Sequence, residues 1–126
     1  MKILKVQGSD PILYGLIGPL VMNPAVLASN DNYPFKNSNE HVWYIAVNHN
    51  KEVKGFLSVL NNKIGNDYTN KDMDLQGLLI EKALEEIPNG RIVSFIAVKE
   101  EWPLMEKLGF AMYKEGVKYS KMIKKL

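Results

Sequence analysis

Leu4 and Val6 alternate with Ile3, Lys5 and Gln7, a period of two that predicts a short strand over Lys2–Gln7, closed by Gly8-Ser9. Asp10-Pro11 is a helix-start signal, because the carboxylate can accept a backbone N–H while proline sits where no N–H is missed. Ile12, Leu13, Leu16, Ile17 and Leu20 then recur at helical spacing; Pro19 is expected to split this segment into two short helices. Asn30–Glu40, rich in Asn with Pro34 and Ser38, predicts a loop long enough to serve as a binding element. His41–Val47 and Glu52–Leu60 are β-branched and aromatic runs joined by the turn Asn48–Lys51, a hairpin. After the turn Asn61-Asn62, Lys63–Asp67 adds a third antiparallel strand, diluted by Gly65 and Asn66.

The pattern then changes period. Leu75, Leu78, Leu79, Ala83 and Ile87 fall on one stripe, predicting a helix over Leu75–Ile87 with Asp72 and Asp74 at its positive end and Pro88-Asn89-Gly90 as its stop. Arg91–Val98 reads as a strand covered on both faces, and strand–helix–strand order requires a right-handed crossover to a parallel neighbour. Trp102–Leu108 is a short helix ended by Gly109, and Ala111–Leu126 is a closing strand pair turning near Glu115-Gly116. The order βα(α)βββαβαββ implies an α/β (α+β) fold, a mixed sheet of about six or seven strands flanked by helices.

With 126 residues, 46% hydrophobic and 24% charged, the chain fits one globular domain spanning 1–126. A formal charge of +2 points to neither nucleic acid nor membrane as the default partner. With no cysteine there is no disulfide framework or thiolate chemistry, and the start resembles a strand instead of a signal peptide, so a cytoplasmic protein is expected. Pro11–Asn30 is uncharged and long enough to span a membrane, but three prolines and two glycines interrupt it, and no membrane association is expected.

The element order resembles the GNAT acetyltransferase superfamily over essentially the whole chain. Two stretches carry the likeness: Leu79-Ile80-Glu81-Lys82-Ala83-Leu84-Glu85-Glu86, similar to the family's cofactor helix, and Met105-Glu106-Lys107-Leu108-Gly109-Phe110, similar to its late Glu-Lys-Leu-Gly-Phe signature. The resemblance implies an N-acetyltransferase using acetyl-CoA, with direct attack by an amine of a small molecule or peptide and no metal. It implies that Ile64, Gly65, Asn66 and Asp67 offer backbone to the pantetheine arm, and that Lys71, Gln76, Gly77 and Leu78 hold the phosphates. The family's Gln/Arg-x-x-Gly-x-Gly/Ala loop corresponds here to Lys71-Asp72-Met73-Asp74-Leu75-Gln76, with Asp74 and Gln76 where glycines belong. Asp72 or Asp74 reads as a helix cap competing for the N–H groups that phosphate needs; alternatively the motif is shifted by a residue and Gly77 supplies the close approach. Met105 stands where many members carry a tyrosine acid, leaving Tyr113 as the candidate if it points into the cleft, and otherwise a strand aromatic on the sheet surface. These departures motivate a second reading, a GNAT-fold domain without turnover that serves as a protein-interaction or small-ligand module.

The remaining candidates are weaker. His41 and His49 bracket one strand and fit hairpin-end solvation better than a metal site. Neither a nucleophile elbow nor a phosphate loop with Gly-Lys-Ser/Thr is present. Lys114, Lys118, Lys121, Lys124 and Lys125 interleave with Tyr113, Tyr119 and Met122; edge-strand protection by lysine is favoured over a nucleic-acid groove. Trp43 and Trp102 read as core or cleft packing, and the apolar segment Ile12–Leu27 lines either an acceptor pocket or a homodimer contact.

Overall fold

The computed structural model describes residues 1–126. In chain order the elements are β1 (Lys2–Gln7), α1 (Ile12–Val21), α2 (Pro24–Ser29), β2 (Val42–Val47), β3 (Val53–Leu60), β4 (Lys63–Tyr68), α3 (Met73–Glu86), β5 (Ile92–Ala97), a 3-10 turn at Lys99–Glu101, α4 (Trp102–Lys107), β6 (Ala111–Lys114) and β7 (Ser120–Lys125). The seven strands form one mixed sheet, within the six or seven expected, in the order β1-β2-β3-β4-β5-β7-β6. Neighbours are antiparallel except β4 and β5, whose parallel pairing follows from the α3 crossover between them.

Strand alternation sends side chains to two separate cores. Leu13 and Ile17 of α1 pack with Val6, Trp43, Ile45 and Phe56 on one face. On the other, Leu75, Leu79, Ile80 and Ala83 of α3 meet Tyr44, Leu57, Val93 and Phe95, and α4 adds Met105. Each strand of the β2–β3 pair contributes to both layers, which explains the nearly unbroken apolar runs of these strands. Gly55 permits the close approach of the end of β4 to β3 and of Leu75 on α3, since a Cβ there would lie 2.8 Å from the Tyr68 carbonyl oxygen and 3.0 Å from Leu75 Cδ2.

Three expectations need correction. Pro19 does not split α1, which runs through it to Val21. Pro19 and Gly15, whose carbonyl it leaves without a helical partner, lie on the exposed side of the helix, so that carbonyl is not stranded in the core. The break falls at Met22-Asn23, where the Asn23 side chain accepts from Ala25 N–H and caps α2. β5 is covered on one face only: Val93, Phe95 and Ala97 are buried, whereas Ile92 and Ile96 are 53% and 54% exposed. An apolar run in sequence cannot distinguish a covered face from an open apolar one. Finally, the lysine-rich β7 is an interior strand between β5 and β6, so Lys121 and Lys125 protect no edge; the edge is β6.

Candidate active site

β4 and β5 are paired only at Lys63–Ser94 and Ile64–Phe95, and then diverge. Beyond that point the β5-facing backbone of Gly65–Tyr68 has no strand partner. A one-residue irregularity opposite Phe56–Ser58 falls in the same stretch, with Asn66 at a left-handed φ of 52°. The Asn66 side chain accepts from Lys36 N–H (3.0 Å) and donates to the Lys36 carbonyl (2.8 Å) and Ser58 Oγ (2.7 Å). It therefore binds the long Asn30–Glu40 loop as another strand would, fixing that loop beside the divergence. The result is a cleft of about 360 Å³ lined by Asn30, Tyr33, Ile64, Gly65, Asn66, Asp67, Ile96 and Tyr119. A depression of about 430 Å³ between α3 and α4 is shallower and lined by the opposed charges Glu81, Glu85, Lys107 and Lys124.

At the base of the divergence lies a polar brace. Gln76 on α3 is only 3% exposed, and its side-chain amide donates to Asp67 Oδ2 on β4 (3.3 Å) and to Glu101 Oε2 beyond β5. Glu101 Oε1 in turn accepts from Val98 N–H (2.9 Å), tying it to the end of β5. The two strands that part company are thus rejoined through one amide and two carboxylates. Burial, reinforced by the Glu101 charge, pushes the Asp67 carboxyl up to about 7, so it exchanges a proton near neutrality.

α3 is tied to the cleft residue Asp67 through Gln76, and its start follows β4 by one short turn. Asp72 is the cap, accepting from Leu75 N–H at 3.0 Å, with Asp74 in the first turn. The first two helical N–H groups, of Met73 and Asp74, keep no intrahelical acceptor. Lys71 is exposed at the left-handed turn before the cap, with φ of 64°. Gly77 is buried against α4, where an added Cβ would meet Leu104 Cδ1 at 3.4 Å, and Leu78 faces solvent. Of the residues named from sequence, Ile64, Gly65, Asn66 and Asp67 converge on the cleft, Lys71 is exposed and not among its lining residues, and Gln76 and Gly77 turn inward.

Tyr113 lies on the outer face of β6, 64% exposed, with Lys121 Nζ 5.1 Å from its ring centre, and does not line the cleft. Met105 is wholly buried. Tyr119 takes the place at the cleft that sequence reasoning offered to Tyr113. It was hidden because it sits in the irregular β6–β7 connection, where periodicity gives no direction. Tyr33 was missed for the same reason, although the length of its loop was a signal. Across the mouth, Lys118 Nζ and Asp31 Oδ2 are 3.1 Å apart, linking that connection to the Asn30–Glu40 loop.

No protein-family model matches the sequence, and no curated protein matches it. Solved structures do match over nearly the whole length. An acyl-CoA N-acyltransferase from Pseudomonas aeruginosa superposes with a TM-score of 0.78 at 16% identity, covering 98% of this chain and 99% of that one. ElaA from Escherichia coli gives 0.75 at 14% identity, covering 98% and 99%. The aminoglycoside 6'-N-acetyltransferase from Enterococcus faecium gives 0.65 at 13% identity, covering 98% and 96%. The chain has the fold of the GNAT N-acyltransferases, a mixed seven-stranded sheet opened between its fourth and fifth strands. At these identities the likeness establishes fold, and the chemistry rests on the residues of the cleft.

Proposed function

We propose that the chain is a GNAT-type N-acyltransferase that transfers an acyl group, acetyl in the simplest case, from acyl-CoA to an amine by direct attack. The divergence of β4 and β5 carries this reading: it leaves the backbone of Gly65–Tyr68 without a strand partner beside a cleft containing a proton-exchanging carboxyl. That backbone suits the amide-bearing pantetheine arm, which bonds as a strand bonds. The fit to the phosphates is narrower, because Asp72 occupies one helical N–H and Asp74 adds negative charge; Lys71 and the amides of Met73 and Asp74 are what remains. The names of two of the matching structures, an acyl-CoA N-acyltransferase and an aminoglycoside acetyltransferase, support the class.

Acyl-CoA would supply the activated thioester, and the protein supplies position and proton transfer. In the proposed step the amine nitrogen forms a bond to the thioester carbonyl carbon, the carbon–sulfur bond breaks, and the amine proton passes to the Asp67 carboxylate. The Tyr119 hydroxyl, at the same cleft, returns a proton to the departing sulfur. Gln76 and Glu101 position Asp67.

Calorimetry with acetyl-CoA and CoA tests the reading: heat and a thermal shift are expected, and Lys71→Ala weakens binding several-fold. No response at about millimolar ligand, an affinity too weak for typical substrate use, sinks it. The second reading, a domain without turnover, is favoured by one observation, the aspartates at the start of α3. Binding of CoA with no acyl transfer to any amine in a broad panel would select it.

A further inference from the structure

The face of β5, β7 and β6 turned away from α3 has no helix over it. Register places Ile92 beside Lys125, Ser94 beside Ile123, and Ile96 beside Lys121 on this face, with Ala111 and Lys114 continuing it on β6. Lys63, paired with Ser94, extends it to the start of β4. Ile92 and Ile96 are more than half exposed, as is Tyr113 beneath Lys121. The strand positions of this face carry Lys63, Lys114, Lys121 and Lys125 and no acidic residue. A chain of near-balanced total charge thus presents an apolar strip whose flanking strand positions carry lysines, with Asp67 in the cleft at its Ile96 end. Of these only Lys114 lies on the edge strand β6; Lys63, Lys121 and Lys125 stand on interior strands and guard no edge.

We infer that this open half-sheet is a docking surface for an acidic polypeptide segment, which lies across the isoleucine strip with its carboxylates against the lysines. Charge selects the occupant. A second copy seated on the same face by two-fold symmetry would set lysine against lysine, which costs affinity instead of supplying it. A nucleic-acid strand would use stacking platforms and Arg forks, whereas this face has aliphatic side chains, one tyrosine already engaged by Lys121, and no arginine among its strand positions. Acidic and apolar side chains alternating along an extended segment match both features. The strip runs into the cleft through Ile96, so a docked segment would lead a neighbouring amine to Asp67. Only that last consequence rests on the acyltransferase reading; docking does not.

Fluorescence anisotropy with a labelled twelve-residue peptide alternating Glu and Leu, against its Lys-Leu counterpart, tests the inference. The acidic peptide is expected to bind, to weaken severalfold or more between about 50 and about 300 mM salt as the Debye length shortens, and to outbind the basic one clearly. Lys121→Glu with Lys125→Glu should reduce affinity about tenfold or more, the charge-neutral Lys→Gln pair less, and Ile92→Ser several-fold, each with an unchanged melting curve. Equal binding of the two peptides, no binding at low salt, or variants without effect would overturn it. So would tighter binding of a single-stranded oligonucleotide, or a dimer in sedimentation that Ile92→Ser dissociates. If CoA binding is absent while peptide docking persists, the acyltransferase reading falls and the docking surface stands.

Discussion

Asp67 is held between two requirements. Half-buried at the cleft and desolvated beside the Glu101 charge, its carboxyl rises from 3.8 to about 7, so the folded protein keeps a proton that the unfolded chain has released. The stability this group contributes is fully present below about 3.8 and is lost as pH rises through about 7, at most about 4 kcal/mol over that interval. Asp67→Asn keeps an acceptor for Gln76 and removes the charge. Denaturant unfolding is expected to show the variant stabilised more at pH 8 than at pH 5, by about 2.5 kcal/mol. The same substitution should abolish the rise of kcat/KM with pH near 7, so one residue lowers stability where it serves catalysis. Gln76 was assigned to phosphate from its place in the motif; only the fold brings residues 67, 76 and 101 together, and no spacing in the chain encodes that.

At the scale of the element, the start of α3 decides how much of a phosphate group the protein can hold. Asp72→Asn preserves the cap, because Asn and Asp cap about equally, while deleting a negative charge beside the helix end. Stability should change by less than about 0.5 kcal/mol, while calorimetric CoA affinity rises several-fold. Unchanged affinity would mean that phosphates do not approach this end. Gly77 separates packing from ligand contact: Gly77→Ala should stabilise by up to about 1 kcal/mol through helix propensity if Leu104 yields slightly, with no loss of CoA binding. The helix itself was plain from the Leu75–Ile87 stripe, and the strands from their alternation, because one-sided burial writes itself into spacing. The position of the α1–α2 break was not legible, since it depends on which side of the helix Pro19 happens to face.

At the scale of the molecule, the near-neutral total conceals a division of charge, acid around the divergence and start of α3 and lysine on the open face of β5, β7 and β6. No helix is long and apolar enough to cross a membrane. The sheet order was legible only in part: the crossover rule fixed β4 and β5 as parallel neighbours, but that β7 inserts between β5 and β6 depends on long-range pairing. The short seam between β4 and β5 divides the sheet into a four-stranded half and a three-stranded half, joined by two ladder positions and by an apolar core in which Leu79, Ile80 and Ala83 meet Val93, Phe95 and Met122. Severed at the exposed Asn89-Gly90 turn, the chain would yield fragments whose mutual recognition is hydrophobic shape instead of a hydrogen-bond ladder. Residues 1–89 and 90–126, expressed separately, should therefore reassemble on mixing and restore native circular dichroism. Burying a charge at Ala83 by Ala83→Glu should prevent it, making the protein a natural candidate for a split reporter.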